Sequence, residues 1–350
     1  MQIKFLRTCA SVVFCLTLAV IASPQTVSTL DSRRKALNDL LAEQWEYRLK
    51  TSPIFASFLG DKRWNDQLDD FSQAAIDKDL VETRKFAERF EAIDTTGFPE
   101  QEALNKSLMV RDLKMQLQEA RFKPWETPVD QQNGVHIDLP QLTTILSFQT
   151  IKDYDDYLSR LRQMPRLFDE TIIQMRKGMA DKFMPPRFIL EKVVEQSENI
   201  ATQVPEKSPF AAPFSKFPKE ISEAEQKRIR DAGIATIRDS VLPAYVRFTK
   251  FVREEYAPNG RTEPGIWSVP DGDARYAFRV KDSTTTNLTP EEIHQLGLAQ
   301  VKEIEGRMLA VATQLGFKDL KTFKASLASD PKLHAHSRQQ IIDLYTKYID

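Results

Sequence analysis

Histidine has the clearest capacity for metal or acid–base chemistry in this sequence, which contains four: His136, His294, His334 and His336. A zinc-binding helix of the His-Glu-x-x-His type needs two histidines at positions i and i+4, with the glutamate as general base. No two of the four have that spacing. His334 and His336 would project about 200° apart on a helix, so they could chelate an ion only in an extended segment. We predict no metal ligands in this chain, and solvated or locally bonded roles for this pair.

A second pattern with metal-binding potential is Glu-x-x-His, formed by Glu291 and His294. It is a half-site of di-iron carboxylate bundles, which need a second copy and two further glutamates. None of the other histidines has a glutamate three residues before it. The alternative is that the acidic residues favour the positive N-terminus of a helix while His294 packs or hydrogen-bonds locally. We favour the alternative.

Other catalytic patterns are missing from the sequence. There is no Gly-x-Ser-x-Gly nucleophile elbow and no Gly-x-Gly-x-x-Gly phosphate loop. Adjacent carboxylates occur as Asp69-Asp70, Asp155-Asp156 and Glu254-Glu255. Neighbouring helix residues project about 100° apart, so such pairs are typical of a solvated face. We assign no catalytic residue.

Two stretches combine polar groups with aromatic residues and could face a ligand. One is Asp271-Gly272-Asp273 followed by Arg275 and Tyr276, and the other is residues 61–64 (DKRW). In a peptide-binding cleft, arginine and tyrosine hold the peptide backbone or its carboxylate. The alternative role for each stretch is loop capping and core packing. We take Arg275 and Tyr276 as candidate substrate-binding residues.

The element that would position these residues is the best-capped helix in the sequence. Thr289 is a good N-cap, Pro290 stands at the first helical position, and Glu292 stands at the third, which is a capping box. Apolar residues then recur at three- to five-residue steps from Ile293 to Leu315. This spacing predicts a helix of roughly 25 residues with one apolar stripe.

Residues 288–298 (LTPEEIHQLGL), preceded by residues 270–272 (PDG) and the threonines at 284–286, resemble the bacterial domain-of-unknown-function family 885. The resemblance continues upstream in residues 59–66 (LGDKRWND) and 157–161 (YLSRL), and it covers nearly all of the chain after the N-terminal signal sequence described below. It implies a secreted or lipid-anchored zinc peptidase with a largely helical body. His294 belongs to the matching motif and joins Arg275 and Tyr276 as a candidate substrate-binding residue.

The family's zinc motif lies in its C-terminal half, beyond the matching residues. The resemblance therefore implies that this chain is the N-terminal part of a family member and holds no cofactor, with zinc expected only for a full-length member. Residues 339–350 support the same expectation, because they have an apolar helical face and no closing glycine or proline. On this hypothesis the chain supplies one wall of a substrate cleft and is inactive alone.

Composition narrows the class of protein. The 350 residues are 41% hydrophobic and 28% charged, with a formal net charge of −1. Nucleic-acid binding is disfavoured because it needs clustered lysine and arginine. Disorder is disfavoured because aromatic and branched aliphatic residues are plentiful. The possible partners are a peptide substrate, which the family resemblance implies, or a partner protein.

The N-terminus has the pattern of a secretory signal, which we place at residues 1–22. Lys4 and Arg7 precede an apolar run of about 15 residues, shorter than the ~20 of a membrane span, and a cleavage site before Ser23. An uncleaved anchor is the alternative. We expect an exported protein, periplasmic or extracellular, with no membrane span after cleavage. Cys9 and Cys15 both fall inside the signal, so the mature chain has no disulfide, and neither follows a lipid-anchor pattern.

The rest of the chain, residues 23–350, is predicted to be an all-α, multi-helical body. Helical periodicity covers 31–50, 72–93, 100–122, 153–164 and 167–179 among other segments, while 126–140 is predicted to be a loop or short extended piece. A proline-rich connection at about 204–218 resembles a linker, but its three phenylalanines favour packing onto the body. The alternative function is an exported helical module that binds a peptide or partner protein without catalysis. It predicts a stable protein that melts cooperatively.

Overall fold

The chain folds into α-helices joined by short turns, as seen in a computed structural model that describes residues 29–349. The predicted signal at 1–22 lies outside the described residues. The α-helices in this range are α1 (Leu30–Thr51), α2 (Pro53–Phe58), α3 (Gln73–Glu91), α4 (Glu100–Glu119), α5 (Val135–Ile145), α6 (Ile151–Ala180), α7 (Arg187–Ala201), α8 (Glu223–Thr236), α9 (Leu242–Phe251), α10 (Gly272–Thr284), α11 (Pro290–Gln314), α12 (Leu320–Ser329) and α13 (Arg338–Ile349). Residues 29–349 include no β-strand, so the all-α prediction is confirmed.

Helices α1, α3 and α4 enclose a small core of their own. Phe90 is fully buried there, with Leu37 and Leu113 packed around it. Two cross-links hold the outside of this bundle, since Arg89 donates both guanidinium arms to Glu43 and Arg34 donates to Glu102. The apolar faces of three separate helices thus meet in one layer.

The larger core is organised around α6, which runs for 30 residues and packs against α5, α8 and α9, while α7 packs against α5 and α9. A capping box starts it: Thr150 Oγ1 accepts the Asp153 amide, and the Asp153 carboxylate accepts the Thr150 amide at 2.8 Å. Buried aromatic side chains of α6 and α9 fill the space between them, with the Phe168 and Tyr245 ring centroids 4.7 Å apart.

Two segments differ from the sequence predictions, and a third, the proline-rich connection, agrees with them. Helix α6 is continuous through Pro165, whereas two helices, at 153–164 and 167–179, were expected. Its apolar face is buried along its length, and that packing outweighs the local cost of the proline. Helix α5 begins at Val135 and passes through Pro140, so the expectation of a loop over 126–140 is wrong for its second half. The proline-rich connection buries Phe210 and Phe214 completely or nearly so, so it packs onto the body.

Helices α10–α13 lie at the far end of the chain and are much less buried. Helix α10 is held to α4 by an ion pair between Arg279 and Glu119, and to the turn after α4 by packing of Phe278 on Phe122. In α11, whose capping box matches the prediction, Ala312 is the single buried residue among those described. The described residues of α12 and α13 include none that is buried. Within residues 29–349, no helix combines the length and the apolar character needed to span a bilayer.

Candidate functional site

Arg275 lies at the start of α10, where it joins this helix to the body. Its Nε donates to the Pro270 carbonyl at 2.9 Å, and its Nη1 donates to the Phe122 carbonyl at 2.6 Å. The guanidinium also stacks on Phe183, with 3.7 Å from its carbon to the ring centroid. Burial lowers the pKa of Arg275 from its usual range. Nη2 makes no hydrogen bond to a described residue, so one arm of the fork stays available.

The backbone before Arg275 fixes its direction. Asp271 has φ 55°, in the left-handed region, and Gly272 follows it as the first residue of α10. A Cβ on Gly272 would lie 2.2 Å from the Ile266 carbonyl oxygen, so the turn packs too closely for any side chain. This tight turn presses the 266–268 segment against the start of α10.

Tyr276 and His294 are both on the surface. Tyr276 is 49% exposed, and Trp267, in the turn before α10, is more exposed still. His294 is exposed on the second turn of α11 and bonds to none of the described residues. No described hydrogen bond or ring contact joins His294 to Arg275 or Tyr276, so the structure groups the last two and leaves His294 on a separate helix.

The second polar–aromatic stretch, residues 61–64, is occupied by internal contacts. Lys62 pairs with Asp153 at 2.8 Å, and Arg63 bridges Asp61 and Glu46. Asp61 also caps the 3₁₀ turn at Lys62–Trp64. These contacts serve loop capping and packing, which was the alternative considered for this stretch.

The remaining histidines have structural surroundings. His136 is 1% exposed, shares a hydrogen bond with Gln196 at 3.2 Å, and stacks on Phe248. Burial lowers the pKa of His136 to about 4. His334 and His336 bond to backbone carbonyls of nearby residues, as expected for locally bonded side chains. Among residues 29–349, no three histidine, cysteine or carboxylate side chains cluster closely enough to hold a metal ion, so the donors present do not fit zinc.

Arg160, which the sequence analysis cited only within the 157–161 stretch of the family resemblance, is the largest fully buried side chain in the described range. It reaches from α6 to α2 and the loop after it, donating to the Gln67 carbonyl at 2.7 Å and to Ser57 Oγ at 2.8 Å. Burial lowers the pKa of Arg160 to about 10. A period-3.6 apolar pattern on α6 marks this position as inward-facing, which was the available signal.

Two neighbouring cavities open beside this loop. The larger, of about 710 Å³, lies among α1, α3 and α4, and the smaller, of about 350 Å³, lies among α2, α5 and α6. Asp69 and Phe71 line both of them. Asp69 is partly buried, and burial raises the pKa of its carboxyl. Asp69 is therefore an exception to the solvated-face interpretation of adjacent carboxylates.

Comparison with solved structures shows a similar fold in another bacterial protein. One match is a crystal structure described as "the putative lipoprotein from Colwellia psychrerythraea", with a TM-score of 0.79 and 21% identity. The alignment covers 90% of this chain and 58% of that one, so this chain spans less than two thirds of its length. A search of curated proteins finds no match.

Comparison with family models gives a match over residues 53–350 to "Bacterial protein of unknown function (DUF885)". The matched range takes in α2 through α13, and with it the smaller cavity, most of the lining of the larger one and all three candidate substrate-binding residues. It agrees with the family resemblance seen in the sequence. The chain therefore belongs to this family, DUF885.

Proposed function

We propose that this chain forms one wall of the substrate cleft of a larger, exported, zinc-dependent peptidase-like body, and that it does not hydrolyse peptides alone. The observation that carries the proposal is the uncovered apolar surface of α10–α13. Leu296, Val301 and Ile304 lie on one stripe of α11 and are each about half exposed. An amphipathic helix of a folded protein normally covers such a stripe.

Other observations support the proposal without carrying it. The chain covers only 58% of its structural neighbour, so a relative of this fold has further chain available to cover this surface. The neighbour's description as a lipoprotein agrees with the secretory signal predicted at 1–22 and supports export. In this proposal the zinc ligands and the general base come from outside the described residues, and no step of catalysis is assigned to this chain.

The proposed part of Arg275, Tyr276 and His294 is to contact the peptide. Arg275 keeps Nη2 free of internal bonds while its other nitrogens are fixed, so a peptide carbonyl or carboxylate could accept from a positioned donor. Tyr276 lies one residue on and is half exposed. His294 offers an exposed ring on α11.

The test begins with the mass of the native protein in extracts of its source. A species much heavier than the 40.2 kDa of this chain supports the larger body, and a species slightly lighter contradicts it. The purified chain is then incubated with peptides, with added zinc and with a chelator. We expect no cleavage in either condition, and cleavage that the chelator abolishes would refute the proposed inactivity.

The alternative, an exported helical module that binds a peptide or partner protein, is favoured by a different observation. Residues of α1–α9 form two cores with buried aromatic and aliphatic side chains, as in a body that is stable by itself. This alternative predicts one cooperative thermal transition and no binding of a hydrophobic dye. A broad transition with strong dye binding would favour the larger body.

A further inference from the structure

The smaller of the two cavities has the size and composition of a site for a small ligand. Its volume of about 350 Å³ lies within the usual range for ligand pockets, about 300–1,000 Å³. Its floor is apolar, formed by the buried side chains of Val135, Leu139 and Leu167. Phe58 and Phe71 add two aromatic walls. A ligand with an alkyl portion would be desolvated on this floor.

Two carboxylates line this cavity, and no basic side chain does. Asp69 is the deeper one, with Oδ1 accepting the Ile54 amide at 3.0 Å. Asp138 lies at the more exposed rim, with Oδ2 accepting the Gly134 amide at 3.1 Å. Each carboxylate thus has one oxygen fixed by the backbone and a second oxygen without a described partner. Neither forms an ion pair with a residue in the 29–349 range.

No basic side chain balances the two carboxylates at the rim of the cavity. Burial raises the pKa of Asp69, and the hydrogen bond from the Ile54 amide and the charges of Arg160 and Arg166 lower it by less. Around Asp138 the nearest influential charge is Asp130, which raises the pKa of Asp138 further after the larger effect of burial. A cation entering the cavity would stabilise both ionised carboxylates.

We propose that this cavity binds an organic cation, a primary ammonium on an alkyl stem, with the ammonium held between Asp69 and Asp138. The ammonium donates to the oxygen of each carboxylate that the backbone leaves free. The alkyl stem lies on the floor at Leu139 and Leu167, and the aromatic ring of Phe71 faces the charge. The larger cavity of about 710 Å³ shares Asp69 and Phe71, so it extends the site for a longer ligand. This inference does not depend on the proposed peptidase-like function.

Titration calorimetry of the purified protein with hexylammonium chloride tests the proposal, with hexanoate as the probe of equal length and opposite charge. We expect heat of binding for hexylammonium and none for hexanoate. Asp69→Asn and Asp138→Asn should each weaken binding about tenfold or more, because each removes one charged acceptor. Asparagine keeps the side-chain oxygen that accepts the backbone amide, so both variants should fold. Their melting curves verify this.

Asp231→Asn is the matched control, because Asp231 is an exposed carboxylate of α8 that pairs with Lys227, away from the cavity. It should leave hexylammonium binding unchanged. If no heat of binding is detected up to about 10 mM hexylammonium, any Kd is weaker than about 10 mM. That result would overturn the proposal. Equal binding by the wild type and both folded cavity variants would overturn it as well.

The ammonium could come from a free amine or from a lysine side chain of a peptide. A blocked dipeptide, acetyl-Leu-Lys-amide, carries its single ammonium on the lysine side chain and distinguishes these sources. Tighter binding of the dipeptide than of hexylammonium, lost in Asp138→Asn, assigns the site to peptides. Tighter binding of hexylammonium with the same dependence on Asp138 assigns it to free amines, and either result supports the ammonium chemistry.

Discussion

Replacement of Arg160 by methionine should be among the most destabilising single changes outside the two cores. The guanidinium is fully buried, and its hydrogen bonds tie α6 to the Pro53, Trp64 and Gln67 carbonyls and to Ser57. These acceptors lie in α2 and the loop that follows it. The side chain therefore acts as a clamp between two parts of the fold far apart in sequence.

The expected loss of stability depends on which hydrogen-bond donors each acceptor still has after Arg160 is replaced. The Trp64 carbonyl still accepts the Gln67 amide, and the Pro53 carbonyl still accepts the Ser57 hydroxyl. The Gln67 carbonyl loses its single described partner, which costs about 1–3 kcal/mol. Hydrogen bonds from a charged donor add about 1.5–3 kcal/mol each, offset in part because a buried charge is removed. We expect a net loss of about 2–4 kcal/mol, a large part of a typical stability of ~5–15 kcal/mol.

The assay is urea unfolding at pH 7 of the wild type, Arg160→Met and Arg162→Met. Arg162 lies two residues on along α6, is exposed and bonds to no described residue, so its replacement should change the free energy of unfolding by less than about 0.5 kcal/mol. The slope with urea must stay constant for the comparison to hold. Equal stability of the two variants would refute the clamp.

Four further outcomes are expected. Gly178→Ala should destabilise the protein by about 1–3 kcal/mol, because the new Cβ would lie 2.4 Å from a backbone oxygen, and thermal melts measure this loss. Gly297→Ala has open space around it and should stabilise α11 by about 0.5–1 kcal/mol, which amide hydrogen exchange measures. Thr289→Ala removes the α11 cap and should lower the protection of its first-turn amides by about 1 kcal/mol. The pKa of His136 is about 4 in the folded protein, below its unfolded value. Its contribution to the free energy of unfolding is therefore complete above about pH 6.5 and falls by about 2 kcal/mol between pH 7 and pH 5. A His136→Gln variant should lack this part of the pH dependence of urea unfolding.

Capping residues in the sequence correctly predicted where several helices begin, because a helix start depends on hydrogen bonds between residues close in sequence. The predicted N-cap at Thr289 accepts the expected amide, and Ser72 and Ser222 cap α3 and α8 in the same way. The errors occurred at Pro140 and Pro165, where the proline suggested a break and the helix continues. Buried contacts from other elements hold these helices together, and no sequence window contains those contacts.

The candidate sites divide in the same way. Arg275 and Tyr276 were found because polar and aromatic types stand together in the sequence, and the structure keeps them together on α10. Asp69 and Asp138 were missed as a pair because 68 intervening residues separate them, and Asp69 was noted only for its neighbour Asp70. Their proximity arises when α5 folds against the loop after α2, a tertiary arrangement that residue spacing does not encode.

Helix α11 shows why a well-predicted element can still lack its partner. Its cap and its apolar period are both local features, and both are present. Burial of three half-exposed aliphatic residues, Leu296, Val301 and Ile304, would be worth about 1 kcal/mol each. A surface that gains this much on being covered favours association with further apolar surface. Helix α11, which carries residues of the family resemblance, is thus incompletely packed within residues 29–349, and this joins the family match to the proposal of a larger body.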